Sequence, residues 1–168
     1  TYCAGILSAD GHQWSTTAIG TDYLERSFAG WPRSYPDGMG EDEADALAYS
    51  PAGFIWDSAL RHGLSLRNFG EFMAPAVKWR DPKRKGKPDF LANYRTWKGE
   101  SDEAVLASYP MIETIRPFSP TAYVGWEMAV PDQYRADFIL AELKESVARG
   151  RFPQLTIICL PNDHTSGT

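Results

Sequence analysis

The clearest pattern in the chain lies towards its carboxyl end. From Asp132 to Arg149, Ile139, Leu143 and Val147 recur at four-residue spacing beside Tyr134 and Phe138, Pro131 and Asp132 open the segment, and Gly150 closes it. That spacing predicts an amphipathic helix. After Pro153 the run Leu155-Thr-Ile-Ile-Cys-Leu160 is apolar without a break, as a strand is when both faces of a parallel sheet are covered. A polar stretch, Pro161 to Thr168, follows at the strand's carboxyl end. Helix, strand and polar loop in that order predict an α/β fold.

The amino-terminal half repeats the theme less cleanly. Residues 1–7 form a short β-prone run. The polar break Ser8, Ala9, Asp10, Gly11 reads as a tight turn, and a helix is expected from His12 towards Phe28. From Gly30 to Gly40 the chain is rich in Pro and Gly and is followed by the acidic stretch Glu41 to Asp45, which together predict a surface loop. A second helix is signalled by Ser50 as N-cap and Pro51 at the first helical position, with Trp56 and Leu60 one turn apart and Gly63 as its stop. A strand from Leu64 to Phe69 comes directly after it. Residues 73–100 show no sustained period, and the stretch 73–130 reads as an excursion or insertion beside the main fold.

Composition narrows the classes. A chain of 168 residues, 43% hydrophobic, is long enough for one core and suggests a single domain over 1–168. Its net charge of -5 offers no general cationic surface for a polyphosphate backbone, so nucleic acid is not an expected partner. The one basic cluster, Lys78 to Lys87, is interrupted by Pro82 and Gly86 and reads as a solvated loop rather than an anion-recruiting patch. No apolar run approaches the ~20 residues that a membrane-spanning helix needs. Cys3 and Cys159 each sit in a strand-like segment, and two buried thiols or a bridge between neighbouring strands both remain open.

Ligands of open α/β sheets sit outside the carboxyl ends of the strands, which directs attention to the loops after Leu7 and after Leu160. In the second, Asp163 and His164 set a carboxylate beside an imidazole, an oxygen-plus-nitrogen pair that zinc and hard divalent ions accept. In the first, Ser8 stands at a strand-to-helix turn, where free backbone N–H groups favour an oxyanion, and Asp10 and His12 follow within one turn. His12 could steady a phosphoryl oxygen. The plainer reading of Ser8 or Asp10 is a helix cap. His62, in a last helical turn, is assigned no chemistry, and Glu71 reads most simply as an exposed turn residue, with a supporting role behind a site as the alternative.

Taken together, the segments Ser8-Ala-Asp-Gly-His-Gln-Trp-Ser15, Ser50-Pro-Ala-Gly-Phe-Ile-Trp-Asp57, Gly63-Leu-Ser-Leu-Arg-Asn-Phe-Gly-Glu-Phe72 and Leu160-Pro-Asn-Asp-His-Thr-Ser-Gly-Thr168 resemble a known group. It is the phosphoesterase family of acid phosphatases and phospholipases C within the alkaline-phosphatase superfamily, and in particular its bacterial members often found behind a β-propeller domain. The resemblance implies a three-layer α/β/α sandwich, incomplete at both ends of this piece. It also implies a metal-dependent hydrolase of phosphate esters with Ser8 as nucleophile, Asp10 and His12 at the substrate, and Asp163 and His164 on a divalent ion, zinc first and manganese or calcium next. A β-propeller in the same full-length chain and a secreted or periplasmic location follow from it as well. Where relatives read Gly-Pro-Thr-x-Pro-Asn-Arg at the nucleophile turn, this chain has Asp10 and His12. The metal ligands still needed are expected outside the present ends, so the piece alone is expected to turn over little.

Two other readings compete. A serine hydrolase built on Ser8, His164 and Asp163 lacks a Gly-x-Ser-x-Gly elbow, and adjacent Asp and His cannot readily face each other as a triad requires. A non-catalytic cell-surface binding domain, or a family member that has lost its activity, accords with the departure around Ser8.

Overall fold

The computed structural model describes residues 8–19 and 50–164, with side chains from residue 11 onward. The expected strand at 1–7, the loop at 30–45, Cys3 and the residues after His164 lie outside this range.

The first helix, α1 (Ser8–Thr17), begins four residues earlier than the sequence pattern suggests, so the supposed turn at Ser8 to Gly11 is its first turn. It also stops well short of Phe28. The hydroxyls of Thr16 and Thr17 donate back to the carbonyls of His12 and Gln13 at 2.7 and 2.8 Å, and Thr17 is also bonded to the backbone of Ile19. Such local bonds compete with the helical ladder. Ala18 then turns left-handed at φ 58.

The second helix, α2 (Ile55–Arg61), starts four residues later than its Ser-Pro signature predicts. Ser50 instead closes a turn, its carbonyl accepting from Gly53 N–H and its Oγ from Ala52 N–H. The cap is made from inside the helix, by the Asp57 carboxylate accepting from Phe54 N–H at 2.8 Å. Gly63 ends the helix as expected.

Strand β1 (Leu66–Phe69) then pairs in parallel with β6 (Leu155–Ile158), Leu66 opposite Leu155 and Phe69 opposite Ile158. The ladder continues one step, as Cys159 N–H donates to Phe69 C=O. Because side chains alternate along a strand, β1 feeds two clusters. Leu66 joins Phe54, Trp56, Phe72, Ile112 and Ile115, with Leu155 and Ile157 against them. Phe69 joins Tyr123 and Ile139, with Phe138 and Leu143. Trp56 is wholly buried, stacked on Phe54 at 4.3 Å, and its indole N–H donates to Thr114 Oγ1.

Between β1 and the helix that begins at Asp132, the stretch that shows no sustained period in sequence has a regular backbone. β2 (Met73–Pro75) and β3 (Lys78–Trp79) run antiparallel to β5 (Ser108–Pro110) and β4 (Ala104–Val105) in one unbroken register. Backbone bonds from Met111 to Phe72, Ala76 to Ala107 and Arg80 to Glu103 hold the same pairing across the gaps. Helix α3 (Phe90–Trp97), capped by the Asp89 carboxylate, fills the far loop of this ribbon. A 3-10 segment, Glu113–Phe118, and a loop then lead to α4 (Asp132–Ala148).

α4 matches its sequence signature in extent but not in every contact. Ile139 is buried, whereas Val147, at the foot of the expected stripe, is 67% exposed. The side chain that α4 buries completely is Arg135. β6 departs from expectation too. Its residues are half-buried, and Ile158 is 48% exposed, so the described part of the sheet does not enclose the strand on both faces. The whole is a mixed α/β arrangement with a parallel pair and an antiparallel ribbon.

Candidate functional site

Both polar turns singled out in the sequence arrive at the carboxyl end of the parallel pair. A pocket of about 520 Å³ opens there, lined by His12 from α1, Glu71 from the turn after β1, Trp126 from the loop before α4, and Cys159, Asp163 and His164 from the segment after β6. Ser8 and Asp10 belong to the first turn of α1. Their side chains lie outside the described residues. Ser8 stands four residues before His12, about 6 Å along the axis and close to the same helical face.

His12 is held from beneath. Its Nδ1 lies 2.7 Å from Glu71 Oε1, and the Glu71 side chain is only 6% exposed. The turn that carries Glu71 is fixed by Asn68, itself fully buried. Asn68 Oδ1 accepts from Glu71 N–H, and Asn68 Nδ2 donates to Glu71 C=O at 2.9 Å and to Ser119 Oγ at 2.8 Å. Gly70 takes φ +100 here, and a Cβ at this place would lie 2.7 Å from the Tyr123 ring, so the position accepts glycine alone without rearrangement. Glu71 is therefore not the exposed turn residue that its surroundings in sequence suggested. Its partner lies 59 positions away, and no local pattern carries that pairing.

Trp126 stands between the two imidazoles, edge-on to His164 at 4.9 Å and to His12 at 6.1 Å. Its loop is clamped by Arg135. The guanidinium donates to the carbonyls of Val124, Gly125, Glu127 and Val130 at 2.6 to 2.9 Å and to the Asp132 carboxylate at 2.8 Å. The other Asp132 oxygen accepts from Asn162 N–H at 3.1 Å, and the Asn162 side chain donates to Met128 C=O. One buried cation thus fixes both the Trp126 loop and the segment that carries Asp163 and His164. A sequence signal for it existed: Arg135 precedes the buried Ile139 by four residues and shares its helical face.

Asp163 and His164 are both exposed at the mouth of the pocket, where they supply one oxygen and one nitrogen donor. This is donor chemistry that zinc accepts. Among the described residues no group of three or more His, Cys, Asp or Glu side chains is arranged to hold a metal ion, so the pair fits part of a coordination shell and does not complete one.

Cys159, free among the described residues, lines the same pocket. Burial first, and then the neighbouring Glu71 charge, push its thiol up to about 12. An unfolded thiol ionises near 9, so above that pH the unfolded chain gives up a proton that the folded chain keeps. The folded state is accordingly expected to lose stability between about pH 9 and 12, at up to ~1.4 kcal/mol per pH unit for this group, and to be unaffected by it below pH 9. Urea midpoints measured against pH should show this slope, and Cys159→Ala should flatten its onset. Tyr123, whose hydroxyl donates to Cys159 C=O at 2.7 Å and is raised by burial, adds a similar loss starting above pH 10.

The residues assigned to the site from sequence thus fall together so far as they are described: His12, Asp163 and His164 share one pocket, and α1 carries Ser8 and Asp10 at its start. Glu71, Trp126 and Arg135 are the additions that three-dimensional structure makes. Compared with known proteins, the chain matches no protein-family model, no curated protein and no solved structure.

Proposed function

We propose that this pocket is the reaction centre of a metal-dependent phosphoesterase whose fold is the three-layer α/β/α sandwich of the alkaline-phosphatase type. The observation that supports it is the meeting of His12, held by Glu71, with Asp163 and His164 at the carboxyl end of β1 and β6. In this reading the Ser8 hydroxyl attacks phosphorus, the bond to the ester oxygen breaks, and the alcohol departs. Water then cleaves the phosphoseryl group. The N-terminal amides of α1 receive the phosphoryl oxygens, and Asp10 and His12 orient them. Glu71 fixes the orientation of the His12 ring by engaging its Nδ1. Asp163 and His164 would hold a divalent ion, zinc first, with manganese or calcium as alternatives and with further ligands from elsewhere in the protein. Such an ion polarises the phosphoryl oxygen and lowers the pKa of a bound hydroxyl. A secreted or periplasmic enzyme, with a β-propeller in the same full-length chain, belongs to the same reading.

The test is hydrolysis of p-nitrophenyl phosphate by the full-length protein supplied with zinc, manganese or calcium. Chelators should abolish turnover. His12→Ala should lower it by about 10²–10⁴-fold, the usual worth of a group that handles a proton or oxyanion in the transition state, and Ser8→Ala should lower it at least as much. Inhibition by serine-directed acylating agents with indifference to chelators would favour a serine hydrolase instead. Absence of hydrolysis with every metal would favour a non-catalytic binding domain.

A further inference from the structure

The far end of the antiparallel ribbon carries a charge opposite to that of the rest of the chain. Residues 78–98 contain eight of the 17 Lys and Arg and two of the 22 Asp and Glu, a local charge of +6 in a chain of -5. Those two acids are engaged locally: Asp81 accepts from Lys83 N–H, and Asp89 caps α3. Three acids follow directly, Glu100, Asp102 and Glu103, and bring the distal segment 78–105 to +3; of these, Glu103 pairs with Arg84, whose guanidinium also lies 3.2 Å over the Trp79 ring. Lys83 and Lys85 project from a fully exposed loop, and among the described residues no ion pair engages them. Three residues after Lys87, the first turn of α3 presents Phe90 and Leu91 consecutively, 43% and 51% exposed. Tyr94 and Trp97 continue from Phe90 along the helix, with Lys98 over Trp97 at 3.7 Å.

We propose that this end of the ribbon docks on an anionic phospholipid bilayer. Exposed lysines beside a consecutive Phe-Leu pair, followed by aromatic rings, match the two layers of a membrane surface, with phosphate and carboxylate headgroups over an apolar interior. A nucleic acid or an acidic protein surface would use the cations but offers no apolar phase for Phe90 and Leu91. The negative remainder of the chain is repelled from the same surface, which orients the molecule. Helix α3 folds back from the end of the ribbon onto the start of α4 and the loop before it, where Asn93 Nδ2 donates to Ala129 C=O, Lys87 pairs with Glu127 and Trp97 meets the Tyr134 ring, so the docking face is anchored there. No helix among the described residues is long and apolar enough to cross a membrane, and the contact is with the bilayer surface.

Cosedimentation with vesicles tests this directly and requires no enzymatic activity. The protein should bind mixed phosphatidylserine–phosphatidylcholine vesicles and not pure phosphatidylcholine vesicles. Lys83→Glu with Lys85→Glu should weaken binding by about tenfold or more, and Phe90→Ser with Leu91→Ser by about tenfold. All four side chains are exposed, so circular dichroism should report an unchanged fold. Failure to bind anionic vesicles even at low salt would overturn the proposal. So would binding that the charge reversal abolishes and the Phe90→Ser, Leu91→Ser pair leaves intact, the mark of a purely ionic contact with any polyanion.

Discussion

Replacing Arg135 by methionine is expected to destabilise the chain by about 3–5 kcal/mol, the cost of breaking a buried, fully bonded charged network by removing one member. The side chain is completely buried and holds four backbone carbonyls and the Asp132 carboxylate. Methionine fills much of the volume yet donates nothing, so those carbonyls and a carboxylate are left in a dry environment without partners. Asp132 then loses the cation that aligns its second oxygen with Asn162 N–H, and the Trp126 and His164 walls lose their common anchor. For a domain of this size the loss corresponds to a melting temperature about 10 °C lower. Lysine should rescue only in part, because its single ammonium cannot reach the same fork of carbonyls. Thermal melts of both variants decide this, and a change within about 0.5 kcal/mol for Arg135→Met, as at an ordinary surface site, would show that the clamp is not what holds these loops.

The second large effect is expected at Gly125→Ala. A Cβ there would stand 2.1 Å from Met73 C=O and 2.9 Å from Met73 Cβ, contacts with backbone that cannot swing aside. Gly125 also donates to Ser108 Oγ and accepts from Arg135, so it is pinned between the base of the ribbon and α4. Relief requires separating β2 from the loop that carries Trp126. A cost at or above the ~1–3 kcal/mol typical of overpacking should follow, together with a change in Trp126 fluorescence, because the Trp126 backbone N–H donates to the same Met73 C=O at 3.4 Å and its ring packs against His164. Denaturant titration followed by tryptophan emission and by circular dichroism measures both.

What could be read in advance was whatever depends on neighbours in sequence. α4 announced itself through Pro131, Gly150 and its four-residue spacing, and β6 through an apolar run after Pro153. The sequence signature of α2 places its start four residues early, because Ser50-Pro51 imitates a helix start while the actual cap comes from Asp57 inside the helix. The ribbon leaves no local pattern, because its pairs, such as Met73 with Pro110, are 37 positions apart and its strands are too short to show alternation. The same physics hid half of the site. Asp163 and His164 were visible as a dipeptide after a strand, and His12 as a residue one turn into a helix. Glu71 became a pocket residue only through His12, and Trp126 only through the clamp at Arg135. The solvated reading of the 78–87 loop holds for its exposure, and its concentration of charge is what gives it a proposed role.

The central claim is that His12 and His164, 152 positions apart, serve one ligand. The chain contains three histidines, and the third, His62, follows α2 beyond the amino end of β1, with Nδ1 bonded to Ser58 C=O. Titrating the zinc-supplemented protein with inorganic phosphate while recording the imidazole carbon–proton NMR signals would separate the three. The account predicts that His12 and His164 shift together along one binding curve while His62 stays still. Movement of only one of the pair, or two curves with different midpoints, would contradict it.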